Sequence, residues 1–237
     1  MYYEISFPYA TGVVLVIASA FVYYVYREVG SKALLYLSIG LLMVAIESFL
    51  DGYEASKLLT LAGGDWNSLP KNYYSSMLWI DAIRGFFIVL WAMFEVLFTV
   101  EILGVERKSL RVYIPALILI VGFAETLALN FSHITPLKTR ILISSAGRVL
   151  GILVPVALIA GAYLLKVYRE IRSNSLLYFG LGFVIHGITL PTYSFAKESG
   201  ALALGAWYTF GGVIPALLAM IGAYYLLKEA RAVEEGE

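Results

Sequence analysis

The stretch VYREVGSKALLY at residues 25–36 returns as VYREIRSNSLLY at residues 167–178. Without gaps, the match extends over residues 14–40 and 156–182, and 13 of its 27 positions are identical at a constant offset of 142. A self-match at one fixed period is the sequence signature of a repeat. Selection at a membrane surface explains the Tyr-Arg pair alone, whereas a serine, two leucines and a glycine also recur in register. We therefore interpret the match as an internal duplication.

The composition is typical of a membrane protein. Apolar residues make up 60% of the 237 and charged residues 14%, which is more hydrophobic surface than a soluble domain of this length buries. The 17 basic residues balance the 17 acidic ones, so nucleic acid is not an expected partner. The chain has no cysteine, which excludes disulfides and thiolate chemistry. It also has no glutamine, and depletion of heat-labile amides fits a thermophile as well as a membrane composition.

Seven apolar runs are long enough to cross about 30 Å of hydrocarbon as helices. They lie near residues 9–26, 33–50, 77–100, 112–130, 146–166, 175–196 and 203–227. Lysine and arginine are concentrated after the first, third and fifth runs and in the C-terminal tail. The positive-inside rule therefore predicts an outside N-terminus and a cytoplasmic C-terminus. The predicted fold class is an all-α, multi-pass protein of the cell membrane with seven transmembrane helices.

Duplication and topology together predict one seven-helix domain over residues 1–237 with a parallel 3+1+3 internal repeat. The first triplet covers residues 9–104, a linker helix covers 112–130, and the second triplet covers 146–227. Because the linker inverts the chain, the two triplets are predicted to be related by an axis along the membrane normal. The connection between Asp51 and Ser76 is predicted to be a long outside loop.

Ionisable side chains within the predicted spans are the candidates for function, because they are costly in hydrocarbon and usually face the interior of a bundle. With the predicted orientation, seven of them lie at or above the midplane on the outer side and indicate a polar cavity that opens outward. The seven are Glu47, Asp51, Asp81, Arg84, Glu125, Arg148 and His186. Trp91 is added as the tryptophan whose depth best suits the wall of a pocket. Glu95 lies deeper, and is either a proton site or a carboxylic acid protonated in lipid.

A structural interpretation of the same residues stays open. Asp81 with Arg84, and Glu125 with Arg148, are candidate ion pairs that hold the bundle together. A single His186 is more often a packing residue than a ligand. Carboxylates and a histidine bind divalent metals in principle, although their spacing here matches no metal motif, so the metal question stays open.

Catalytic signatures are missing. Residues 51–55 match only the start of the CDP-alcohol phosphotransferase signature, and no Gly-x-Ser-Gly of a rhomboid-type protease is present. Two histidines are too few for the zinc site of hydrolases of the adiponectin-receptor type. The sequence therefore favours a protein that is not an enzyme.

The predicted architecture resembles that of microbial rhodopsins, with seven helices, an outside N-terminus, and an acid and an arginine on the third helix. The resemblance implies a sensor or ligand-binding protein that acts through a partner. Retinal in that family is held by a lysine midway along the seventh helix, and residues 203–227 contain none, since Lys228 lies at the cytoplasmic end. A retinal Schiff base is thus disfavoured, and no other cofactor is predicted.

The parallel triplets resemble those of SWEET-type sugar transporters, which implies transport of a small solute or ion. The Pro-Gln pair typical of their relatives is missing, because the chain has no glutamine. An accessory subunit of a membrane complex is a third alternative, because small residues in the spans permit close helix approach within or between chains, including a homo-oligomer. Polar residues are concentrated in the outer half, which favours binding over transport. The expected partners are the lipid bilayer and a membrane protein.

Overall fold

The computed structural model describes residues 3–64, 73–131 and 147–234, and these residues form helices without a strand. The predicted all-α fold class is confirmed over this part of the chain. The α-helices are α1 (Tyr3–Val29), α2 (Lys32–Leu61), α3 (Tyr73–Ile102), α4 (Ile114–Phe131), α5 (Val154–Ile171), α6 (Asn174–Thr189), α7 (Tyr193–Glu198), α8 (Ala201–Tyr208) and α9 (Ile214–Glu234).

Six helical stretches in the described ranges are long and apolar enough to cross a membrane. They are Tyr3–Val29, Lys32–Leu61, Trp79–Ile102, Val149–Ile171, Asn174–Thr192 and Ala201–Val233. A further stretch in the predicted linker helix, Ser109–Ala124, is apolar but shorter. The lengths and composition are those of a multi-pass membrane protein.

The helices form a ring with one helix outside it. Along the ring, α1 packs on α2, α2 on α3, α5 on α6, α6 on α9 and α9 on α1, and contacts between α3 and α5 close the circle. Helix α4 lies outside, mainly against α3. In each half of the ring the middle helix, α2 or α6, is the most buried. Half of the residues in its most apolar 18-residue stretch (50%) are buried inside the protein.

Both copies of the repeated phrase form the same turn. Gly30 (φ +72°) and Arg172 (φ +59°) have left-handed backbones, and each donates its N–H at 2.8 Å to the carbonyl four residues earlier. Ser31 and Ser173 then take nearly identical extended conformations at the N-caps of α2 and α6. Matched sequence therefore produces matched local structure, a helix end followed directly by a helix start.

The two turns lie at the same end of the bundle. Glu28 in the first turn pairs with Arg231 at 3.6 Å, and Ser173 in the second donates to Glu229 at 2.9 Å. Both partners belong to the last turns of α9. We call this the lower end, and the opposite end, where α1 begins, the upper end.

The helix crossings within the two halves also fall at matched positions. Between α1 and α2, Ser19 donates to the Ser38 carbonyl at 2.8 Å and Ser38 donates to the Ser19 carbonyl at 3.0 Å. An offset of 142 leads to Gly161 and Gly180, where a Cβ added to Gly161 would lie 2.9 Å from the Gly180 carbonyl oxygen. A hydroxyl pair in one half and a bare backbone contact in the other both permit close helix approach.

Prolines explain the irregular helical segments. Proline has no N–H to donate to the carbonyl four residues earlier. The helix therefore widens locally, and hydrogen bonds there span five residues instead of four. Three π-helical segments each end two residues before a proline: Ser109–Tyr113 before Pro115, Gly147–Leu153 before Pro155, and Thr209–Val213 before Pro215. Pro191 lies in the short 3-10 turn Leu190–Thr192, which ends α6 earlier than the sequence predicted.

The predicted loop after residue 50 is wrong in its first part. Helix α2 continues for eleven residues beyond it, to Leu61, and ends where Gly63 and Gly64 take positive φ angles of +62° and +89°. Polar residues from Asp51 onward suggested a loop, but they contain no proline, and Gly52 is buried inside the helix, where the Tyr9 ring packs closely against it. The extension adds Glu54 to the face of α2 that points into the ring.

Candidate functional site

The ring encloses a cavity of about 130 Å³ in its upper half, which we call the outer cavity. Its walls come from both halves of the bundle, α1 to α3 on one side and the segments from Val149 to Gly212 on the other. Most of the side chains in these walls are polar or aromatic, and the larger ones are Glu47, Asp51, Arg84, Trp91, His186, Tyr193, Trp207 and Tyr208.

A smaller cavity of about 40 Å³, the inner chamber, lies directly below the outer cavity. The two cavities share Val44, Trp91 and His186, together with Gly211 and Gly212 in the π segment that precedes α9. Glu95 lines the inner chamber but not the outer cavity. Charge is therefore distributed along the ring axis, with a cluster above and one carboxyl group below.

Arg84 is the centre of the upper cluster. Its guanidinium contacts carboxylates of three successive turns of α2, at 2.7 Å from Glu47, 2.8 Å from Asp51 and 2.5 Å from Glu54. The four side chains are 15–21% exposed, so solvent screens them only in part. Residues at i, i+4 and i+7 share one helix face, which lets a single guanidinium on α3 reach all three.

Two tyrosines extend the cluster to the other half of the ring. The Tyr208 hydroxyl donates a hydrogen bond to Asp51 Oδ2. The nearby Asp51 carboxylate and burial raise the pKa of the Tyr193 phenol, so this side chain keeps its proton. Asp51 is thus a shared acceptor for Arg84 on α3 and Tyr208 on α8.

Aromatic rings cover much of the remaining wall. Trp207 contacts Tyr193 and Tyr208 with ring centroids 4.8 and 5.0 Å apart, and its indole N–H donates to the Thr189 carbonyl at 2.9 Å. Trp91 lies against the imidazole of His186, with centroids 4.1 Å apart. The site therefore combines carboxylates with fixed aromatic rings.

His186 is oriented by the irregular start of α9. Pro215 has no N–H for the Gly211 carbonyl, and that carbonyl lies 2.5 Å from His186 Nδ1. Nδ1 is therefore the protonated nitrogen that donates, because a carbonyl only accepts. Nε2 is buried and has no hydrogen-bond partner among the described residues.

Packed aromatic side chains close the lower side of the inner chamber. Phe98 is fully buried and contacts Phe179 and Phe183, with ring centroids 5.0 and 5.6 Å away. Below them the ring is filled by apolar residues of α1, α2, α3, α5, α6 and α9. The polar path through the described part of the bundle therefore ends at Glu95 and the phenylalanines.

The structure brings together most of the predicted site residues. Those that line the two cavities are Glu47, Asp51, Arg84, Trp91, Glu95 and His186. Asp81 is buried in α3 but lines neither cavity, and Arg84 pairs across to α2 instead of with Asp81. The side chains of Glu125 and Arg148, and hence their predicted pair, lie outside the described part of the structure.

Sequence reasoning missed Glu54 as a partner of Arg84 and Tyr208 as a partner of Asp51. The spacing of Glu47, Asp51 and Glu54 was a usable signal, because it places all three on one face of a longer α2. Among the described side chains, no group of three or more histidine, aspartate or glutamate residues is arranged to hold a metal ion.

The described part of the chain is a helical bundle with an internal polar site, and its long apolar helices are typical of a multi-pass membrane protein. Its cavity joins two halves of similar local geometry. No family model, curated protein or solved structure matches the chain.

Proposed function

We propose that this chain is a non-enzymatic protein of the cell membrane that binds a small organic cation in the outer cavity and passes its occupancy to a partner membrane protein. The observation that carries the proposal is the single guanidinium of Arg84 among the carboxylates of Glu47, Asp51 and Glu54. When all four side chains are ionised, three negative charges face one positive charge, and the cluster has a net charge of −2. A buried excess of negative charge favours a cationic ligand.

The aromatic walls favour an organic cation over a bare metal ion. Trp91, Trp207 and the tyrosines present ring faces and edges around the cavity, and an ammonium group over a ring face gains about 0.5–2 kcal/mol. Metal ions prefer several oxygen or nitrogen ligands, whereas Arg84 already occupies the carboxylates here. A methylated or alkyl ammonium group fits both the charge and the walls.

A parallel duplication accounts for the position of the cavity. Six of the eight α2 residues that line the two cavities have a counterpart at an offset of 142 that also lines them. The matched pairs are Leu37 with Phe179, Gly40 with Gly182, Leu41 with Phe183, Val44 with His186, Ser48 with Leu190, and Asp51 with Tyr193. The contacts between the two halves match as well. If α1 corresponds to α5 and α3 to α9, the contact of α1 with α9 corresponds to the contact of α5 with α3. We infer that the two triplets are parallel copies that share one binding site, with α4 as the linker and the upper end outside.

Transport is the second candidate, and the matched cavity walls favour it, since an axis between parallel repeats is where transporters hold substrate. Alternating access requires the Phe98, Phe179 and Phe183 contact to open toward the lower end. Uptake of labelled tetramethylammonium into proteoliposomes separates a transporter from a sensor, which binds the ion without flux.

Tetramethylammonium is expected to bind the purified protein, and tert-butanol, an uncharged molecule of similar shape, is expected to bind at least tenfold more weakly. At an effective dielectric constant near 20, a charge about 4 Å away contributes roughly 4 kcal/mol before desolvation, and about 1.4 kcal/mol is tenfold in affinity. Asp51→Asn should therefore weaken tetramethylammonium binding by about tenfold or more. Isothermal titration calorimetry in detergent measures both effects.

Glu101→Gln is the control for this experiment, because Glu101 lies on the lower end of α3 and pairs with Arg111 at 3.5 Å. It should bind tetramethylammonium like the unchanged protein. Equal binding of tert-butanol, or unchanged affinity in Asp51→Asn, would contradict the proposal.

A further inference from the structure

Two buried polar side chains line the inner chamber, and one of them, His186, also lines the outer cavity. Glu95 is 2% exposed and neither of its carboxyl oxygens has a hydrogen-bond partner among the described residues. His186 is 4% exposed and its Nε2 is likewise without a partner. Both side chains line the same cavity of about 40 Å³. Two unsatisfied polar groups in one core are unusual and indicate a ligand or a catalytic or proton-binding role.

The chemistry of the chamber indicates which ligand it takes. In a neutral ring whose Nδ1 donates to the Gly211 carbonyl, Nε2 presents a lone pair. An ionised Glu95 would present only acceptors as well, so neither group could donate a hydrogen bond toward the other. One proton on the carboxyl group supplies that donor and removes a buried charge that costs several kcal/mol when unpaired.

Few other titratable groups face the chamber. Among its lining residues, α2 contributes the Tyr36 phenol, α3 contributes Glu95 and α6 contributes His186, whereas the lining side chains of α1 and α9 are apolar or absent. The charged side chains of Arg84, Glu47 and Asp51 line the outer cavity and not the inner chamber. No described cation lines the inner chamber to neutralise a Glu95 carboxylate.

We propose that the inner chamber is a proton-binding site, in which Glu95 is held as the neutral acid and is linked through water to the lone pair of His186 Nε2. The volume of about 40 Å³ accommodates about three or four water molecules, each of which needs roughly 10–15 Å³. Transfer through the water breaks the Glu95 O–H bond and forms an Nε2–H bond, leaving a carboxylate and an imidazolium with no net change in charge. The site does not rest on the proposed cation ligand, although His186 lines both cavities.

Infrared difference spectroscopy of the ligand-free protein tests the proton on Glu95. The unchanged protein at neutral pH is expected to show a protonated carboxyl C=O band that shifts in D₂O. The band should be lost in Glu95→Gln, kept in the matched control Glu101→Gln on the same helix, and shifted in His186→Phe. A band that is absent, or that survives in Glu95→Gln, overturns the proposal.

Nitrogen NMR of the unchanged protein provides a test that needs no variant of Glu95. The chain has two histidines, so ¹⁵N-histidine labelling gives two sets of signals, and His133→Ala assigns them. His186 is expected as a neutral ring with a protonated Nδ1 and an unprotonated Nε2. An imidazolium signal for His186 at neutral pH overturns the proposal, because the proton would then reside on the ring and Glu95 would be the carboxylate. Loss of tetramethylammonium binding would leave both results unchanged.

Discussion

Arg84→Gln is expected to lower the free energy of unfolding by about 3–5 kcal/mol, which is the usual cost of removing one partner from a buried ion pair. The substitution leaves Glu47, Asp51 and Glu54 facing each other with side chains only 15–20% exposed. Glutamine retains one donor but no charge. Reversible unfolding in mixed detergent micelles, followed by circular dichroism, measures the change.

Arg111→Gln is the matched control for the Arg84 substitution, because Arg111 pairs with Glu101 at 3.5 Å and its side chain is 39% exposed. A partly exposed pair contributes about 0–1 kcal/mol, so the control should remain close to the unchanged protein. Adding Glu47→Gln to Arg84→Gln should restore part of the lost stability by removing one unpaired carboxylate. Equal effects of the two arginine substitutions would mean that the cluster is solvated and not a buried site.

Gly161→Leu is expected to separate α5 from α6 and to destabilise the protein by more than about 3 kcal/mol. A Cβ at this position would already lie 2.9 Å from the Gly180 carbonyl oxygen and 3.0 Å from the Val184 backbone nitrogen, and backbone atoms cannot rotate away. Overpacking usually costs about 1–3 kcal/mol, and a leucine adds three more carbon atoms at the same contact. The measurement is the same micelle unfolding curve, together with the monodisperse fraction after size exclusion.

Gly151→Leu is the control, because a Cβ added at Gly151, in the π segment that precedes α5, would have no atom of another described element within 4 Å. The control should change the stability by less than about 1 kcal/mol. A tolerated leucine at residue 161 would show that the second half of the bundle does not depend on this close crossing.

Helix positions and the matched turns were predictable from the sequence because apolar length and a self-match are local signals. The end of α2 was not predictable from the sequence. Charged residues that face a cavity give the same sequence pattern as charged residues that face water, unless their partner is known. Glu54 is the example, since its salt bridge with Arg84 depends on a helix 30 residues further along the chain.

The pairing of Arg84 was also beyond local reasoning. Asp81 at i−3 is a neighbour on the same helix and was the obvious candidate, but a long guanidinium side chain reaches three carboxylates across the helix interface and satisfies more of its donors there. The orientation of His186 likewise depends on a proline-freed carbonyl 25 residues away in sequence. Such contacts are set by tertiary packing, which one sequence does not specify residue by residue.

Single-cysteine labelling in intact cells tests most directly whether parallel copies flank an outward-facing cavity. The chain has no cysteine, so each substitution is the only target. Lys32→Cys and Asn174→Cys occupy matched, exposed positions at the starts of α2 and α6, and Lys57→Cys is exposed near the other end of α2. An impermeant maleimide should label Lys57→Cys in intact cells, and the two matched cysteines only after permeabilisation. Labelling of residues 32 and 174 from opposite sides, or of residues 32 and 57 from the same side, would contradict the parallel arrangement and the outward cavity together.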